Sequence, residues 1–175
     1  KMANETATNL AAAFEGESQA HLRYQQFARK ADAEGHKFIA NLFRAVAEAE
    51  DIHGSKWASM INKGVDTAAA LGQAIEGEKY EHDEMYVTFM HQAKSDGERK
   101  AAKWFHRIGK VEGTHEKHYR KVLAALEKGI DFEGKIIWLC PECGNIELTD
   151  TRDQKPYEFC PVCDTAWEEF TPYEA

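Results

Sequence analysis

In the stretch AEAEDIHGSKW, residues 47–57, alanine and isoleucine alternate with Glu, Asp, His and Lys in the manner of an amphipathic helix. The same texture runs through the first 130 residues, which are rich in Ala, Glu, Lys, Gln and Leu and contain no proline. The pattern predicts four long helices at roughly 4–33, 36–63, 67–96 and 98–128, with turns at Glu34-Gly35, Lys63-Gly64 and Asp96-Gly97. Helices of this length run about 40 Å each. Short turns make the first and second, and the third and fourth, antiparallel neighbours. All four prolines and all four cysteines fall in the last 36 residues, where short apolar segments and turns predict small strands or knuckles. The segment DFEGK, 131–135, is the expected linker and divides the chain into domains at 1–134 and 135–175.

The helical part repeats itself. FEGES (14–18) aligns with IEGEK (75–79), DAEGHKFIANLF (32–43) with KSDGERKAAKWF (94–105), and AEAEDIH (47–53) with KVEGTH (110–115). The offset is 61 at Glu17/Glu78 but 62 at Tyr24/Tyr86, Phe43/Phe105, Glu50/Glu112 and His53/His115. One residue has therefore entered between Glu78 and Tyr86. An extra residue inside a helix is absorbed as a π-bulge, and the sequence places one near Glu81.

The repeat carries chemistry. Residues three apart on a helix project from one stripe, so Glu50 with His53, and Glu112 with His115, each offer a carboxylate and an imidazole together. Glu17 and Glu78 add one carboxylate from each of the other two helices. A Glu from two helices and a Glu-x-x-His from the other two is the ligand pattern of a two-metal carboxylate site, with donors that suit iron or manganese. Convergence of so many carboxylates without cations would be prohibitively costly. A solitary Glu-x-x-His is more often a solvated face; two of them in a duplicated frame are not. Glu81 has no counterpart, since the first helix offers Ala20 and His21 there. It is either an exposed glutamate or a seventh ligand that lets one metal change partners. Tyr24 and Tyr86 lie two turns beyond Glu17 and Glu78, placed to donate hydrogen bonds to carboxylates or simply to pack. His21 and His118 lie one turn from ligand positions; His36, His82, His91 and His106 have no evident partner pattern.

The tail holds CPECG (140–144) and CPVCD (160–164), two C-x-x-C pairs that present Cys140, Cys143, Cys160 and Cys163 to one tetrahedral metal, zinc or iron. The charge is also uneven. Residues 136–175 hold nine acids and two bases, and so carry most of the chain's net charge of −8. That argues against a nucleic-acid surface and suggests a positively charged protein partner for the tail, although an acidic surface is often only a solubility device. No apolar run approaches the ~20 residues that span a bilayer, and no leader pattern is visible, so a cytoplasmic protein without membrane contact is expected.

Together these motifs resemble the rubrerythrin family, over essentially the whole chain, through EGES…RY, the two E-x-x-H pairs, GE-x-x-E…EMY and the twin C-x-x-C. The resemblance implies a mainly α fold: a ferritin-like four-helix bundle with a small C-terminal rubredoxin-like four-cysteine metal domain. It implies two non-haem irons at Glu17, Glu50, His53, Glu78, Glu81, Glu112 and His115, with Glu81 bound to one iron when oxidised and His53 when reduced. It implies a mononuclear iron at the cysteines, fed by an electron-donating reductase or rubredoxin, and reduction of hydrogen peroxide to water. Iron storage by a ferroxidase, or a zinc-ribbon metal-binding protein, are the alternatives. The second knuckle departs from the family in ending on Asp164 where glycine is usual, which removes a permissive backbone position. Because the tail lies far along a ~40 Å bundle from the metal site, a homodimer is expected in which one subunit's tail serves the other.

Overall fold

The computed structural model describes residues 5–130 and 135–174. Helix α1 spans Glu5–Ala33 and α2 spans Lys37–Ile61. Helix α3, Thr67–Tyr80, passes through a π turn at Glu81–Met85 into α4, Tyr86–Ser95, and α5 follows at Arg99–Leu126. The expected bulge is therefore present and starts at Glu81; Tyr86 N–H reaches back five residues to the Glu81 carbonyl. The linker expected at 131–135 falls largely outside the described residues. Among the described residues no helix is long and apolar enough to cross a membrane.

The chain divides into two compact units, the first ending at Val65 and the second beginning at Asp66. In the first, α1 and α2 form an antiparallel hairpin closed at Gly35, whose φ of 84° is left-handed. His36 N–H bonds the Ala31 carbonyl at 2.8 Å, the six-to-one bond of a glycine-terminated helix. The second unit opens on Asp66, whose side chain accepts from Ala69 N–H and caps α3. Its α3–α4 stretch packs against α5 through a turn of the same kind, with Gly97 at φ 79° and Glu98 N–H on the Ala93 carbonyl.

Each hairpin carries the same aromatic trio, half-buried at its tyrosine and one phenylalanine and exposed at the other. Phe27 and Phe43 lie 5.4 Å apart beside Tyr24. Phe89 and Phe105 lie 5.6 Å apart beside Tyr86. All three positions are related by the offset of 62 read from the sequence.

The second unit also contains the four-cysteine module. Its antiparallel sheet has the order β2-β1-β3, from Ile146–Thr149, Ile136–Leu139 and Thr171–Tyr173. Ile136, Trp138, Trp167 and Phe170 are buried with Cys140 and Cys160. Trp167 stacks on Phe170 at 4.8 Å, and Trp138 Nε1 donates to Thr149 Oγ1, so the polar edge of a buried indole is satisfied.

Candidate metal centres

In the first unit α1 brings Glu17 to face Glu50 and His53 of α2, with one ligand atom from each within 4.8 Å of the others. His53 Nδ1 lies 3.0 Å from Glu50 Oε2 and 3.9 Å from Glu17 Oε1. The group is open: half of the His53 side chain is exposed. Glu17 and Glu50 border a cavity of about 310 Å³ whose wall includes Phe14, Leu22 and Gly54.

The second unit builds the equivalent group from Glu78 of α3 with Glu112 and His115 of α5. His115 Nδ1 lies 2.9 Å from Glu112 Oε2 and 3.5 Å from Glu78 Oε2. Glu112 is buried, and the His115 side chain is only 21% exposed. Burial, with Glu112 alongside, pushes the Glu78 carboxyl up to about 7 against the pull of His115. Desolvation works against charge on His115, but the Glu112 bond and the Gly144 carbonyl prevail and raise it to about 9. Carboxylates crowded out of water in this way are what a multivalent cation relieves.

Glu81, at the start of the π turn, is half-buried and raised above the usual carboxylate range by desolvation, then by Glu112. The extra residue therefore brings a third carboxylate to the second group, and the first has no equivalent. Tyr86 is likewise raised, by burial and by Glu112, Glu81 and Glu78 together, which places its phenol in the field of that group. Tyr24 is held by ring contacts with Phe27 and Phe43.

In the four-cysteine module Cys140 Sγ lies 3.5 Å from Cys163 Sγ, and Cys143 Sγ 3.7 Å from Cys160 Sγ. A tetrahedral ion with bonds of about 2.3 Å to sulfur requires an edge of about 3.8 Å, close to both of these separations. Burial raises the Cys143 and Cys160 thiols. Desolvation also pushes Cys163 up, but the Thr165 hydroxyl at 3.1 Å and the Thr165 amide bring it below its ordinary value. Asp164 adopts φ 70° despite not being glycine, and its carboxylate lies 3.7 Å from Arg107 of α5.

The module docks on α5 of its own chain. His115 Nε2–H donates to the Gly144 carbonyl at 3.0 Å, which leaves Nδ1, facing the carboxylates, as the nitrogen a metal could use. His118 rests on Ile146 and Glu147 and is lowered mainly by burial. His115 lies 11 residues, or about 17 Å, before the end of α5, so a strand running back from the linker reaches it.

His21 is not available as a ligand. Its Nδ1 donates to the Ala47 carbonyl and its Nε2 accepts from Gln25. His82, for which the sequence suggested no partner, bonds the Gly109 carbonyl at 2.6 Å. The offset of 61 that aligns His82 with His21 was the signal for it.

The rubrerythrin family profile matches residues 8–123. The chain is 34% identical to a rubrerythrin of Porphyromonas gingivalis, over 91% of this chain and 86% of that one. It is also 34% identical to the nigerythrin of Nitratidesulfovibrio vulgaris, over 96% and 86%. Solved structures of nigerythrin in partially reduced and fully reduced, all-ferrous states match with TM-scores of 0.56 and 0.54 at 30% identity. They cover 99% of this chain and 88% and 89% of those chains. With its duplicated carboxylate–histidine sets and its four-cysteine module, the chain belongs to the rubrerythrin family and is mainly α-helical, with the ligand inventory of a di-iron oxidoreductase.

Proposed function

We propose that this protein reduces hydrogen peroxide to water, in oxidative-stress defence, with electrons delivered by way of the four-cysteine site. Glu17, Glu50 and His53 would hold one iron, and Glu78, Glu112 and His115 the other, with Glu81 and His53 exchanging as ligands between redox states. When bound, a ferrous pair supplies two electrons and Lewis acidity to the O–O bond, which with two protons gives two waters. The residues do the rest. The Gly144 carbonyl fixes the His115 ring through Nε2, which leaves Nδ1 facing Glu112 and Glu78. The cavity beside Glu17 and Glu50 admits a molecule as small as peroxide.

The observation that carries this reading is the His115–Gly144 bond. It makes a continuous path from the residue after Cys143, through a carbonyl and an imidazole, to a carboxylate–histidine set. An iron store has no use for such a path, and a structural zinc would carry no electrons along it. The partner would be a reductase or rubredoxin with a basic face, matching the acidic tail. A homodimer is also part of the reading. It is supported by large apolar side chains left exposed on the first hairpin, among them Leu22, Phe38, Leu42 and Ile52.

The test is to reduce the protein anaerobically, mix it with hydrogen peroxide, and follow both the cysteine-site absorbance and the peroxide consumed. Stoichiometric peroxide loss with re-oxidation at both sites is expected, with roughly three irons per chain. Zinc at the cysteines with no peroxide turnover would overturn the reading.

A further inference from the structure

Two histidines outside the ligand sets occupy repeat-equivalent positions 61 apart, His21 and His82. Each crosses its own hairpin to a main-chain carbonyl. His21 Nδ1–H donates to Ala47 at 2.8 Å, and His82 Nδ1–H to Gly109 at 2.6 Å. Ala47 and Gly109 are themselves equivalent, and each lies three residues before the glutamate of its Glu-x-x-His pair. The acceptor carbonyl is thus one turn from Glu50 in one hairpin and from Glu112 in the other. Each donor is four residues after the opposing glutamate, Glu17 or Glu78. The same cross-link has been kept in both copies, although the metal-facing residues around it have diverged.

In the second hairpin the fit is tight. A Cβ on Gly113 would lie 2.9 Å from the His82 ring, and one on Gly109 would lie 3.0 Å from Tyr86 Cβ. The two glycines, one turn apart, let α5 approach the π turn closely enough for the imidazole to reach a carbonyl. In the first hairpin Gln25 donates to His21 Nε2 at 2.9 Å, which fixes the neutral tautomer with its proton on Nδ1.

We propose that His21 and His82 are positioning residues, each setting the axial register of its hairpin so that Glu17 meets Glu50 and Glu78 meets Glu112. The physical need is clear. A slip of one residue shifts a helix by about 1.5 Å and turns its side chains by about 100°, which takes a carboxylate off the shared stripe. His82 carries the heavier duty. It is the second residue of the π turn, where the regular ladder is interrupted and helix register is least defined by the backbone itself. Anchoring that point keeps Glu78 and Glu81, on either side of Tyr80, both directed at Glu112 and His115.

The inference rests on the metal reading of these sets, and the experiment separates the two. Full-length protein carrying His82→Leu, His82→Asn or Gly113→Ala is loaded anaerobically with ferrous iron and challenged with a chelator. H82L is expected to release bundle iron about tenfold faster than the unaltered protein, with the cysteine-site absorbance unchanged. H82N, whose amide places a donor near the position of Nδ1, should restore slow release, and G113A should behave like H82L. Hydrogen exchange in the metal-free protein reads the clamp independently. H82L should speed exchange of the Gly113 amide about tenfold, as loss of one hydrogen bond would, and H82N should not. Iron retention and exchange unchanged in H82L would overturn the proposal, as would equal damage from H82N and H82L, which would make the ring a packing element only. An unaltered protein that takes up no bundle iron would instead count against the proposed function, leaving the exchange result to judge the clamp.

Discussion

The two carboxylate–histidine groups are copies in sequence and unequal in structure. His53 lies half exposed beside Glu50 and Glu17, and among the described residues nothing bonds its Nε2. His115 is mostly covered, held at Nδ1 by Glu112 and at Nε2 by the Gly144 carbonyl. The second group also has Glu81 in its field, whereas the first has an alanine at that repeat position. Duplication supplies matching side chains, and what packs on them afterwards decides which imidazole is covered and which stays exposed. An imidazole bonded on both sides must break a hydrogen bond to leave a metal; one bonded on a single exposed side need only rotate.

The largest expected effect separates the two histidines. H115A should lose bundle iron and more than 100-fold in peroxide turnover, because it removes both a ligand and the contact to the cysteine knuckle. H53A should keep most of its iron while losing roughly tenfold or more in turnover. Metal analysis beside single-turnover kinetics reads both, and equal iron loss in the two variants would erase the distinction. Glu81→Ala should resemble H53A, with iron content nearly intact and turnover about tenfold slower.

A smaller effect tests burial of the second group in the metal-free protein. The Glu78 carboxyl is near 7 when folded against an ordinary 4.5, so the folded state holds an extra proton between those values. The stability this contributes is present below 4.5 and is lost as pH rises through 7. Metal-free E78Q, which carries no such carboxyl, should therefore gain on the unaltered protein over that window and hold a constant lead above it. Chemical denaturation at several pH values measures the gap; a gap independent of pH would mean that the site is wetter than the structure shows.

The smallest expected effect lies at the second docking point. Asp164→Gly relieves a left-handed backbone cost of about 1 kcal/mol but removes the pair between its exposed carboxylate and Arg107, worth up to about 1 kcal/mol, so stability should hardly change. Electron transfer between the two sites should slow a few-fold as that knuckle loosens, while the His115–Gly144 contact persists. Rapid-mixing absorbance at the cysteine site measures it.

Much of this was legible in the sequence because it is encoded locally. Proline-free helix-forming segments and left-handed glycines set the four helices within a few residues of their ends. The step from 61 to 62 located the π turn, since a helix has no other economical way to absorb one residue. Spacing of three put each Glu-x-x-His pair on one stripe, and the twin C-x-x-C pairs determined the sulfur tetrahedron. His82 was legible in principle, because the repeat aligns it with His21, but an imidazole that bonds a main-chain carbonyl leaves no trace in side-chain spacing.

Tertiary structure alone decided what distinguishes the copies. The Gly144 carbonyl meets His115 across 29 positions, and a backbone oxygen carries no residue identity by which that meeting could be foreseen. The raised carboxyls of Glu78 and Glu81 follow from exclusion of water and the nearness of Glu112, neither of which any local pattern encodes. Sequence alone determined which side chains share each carboxylate–histidine stripe, because that is a matter of helical period. Packing decided which of them is held, because burial and main-chain contacts arise only once the elements are assembled.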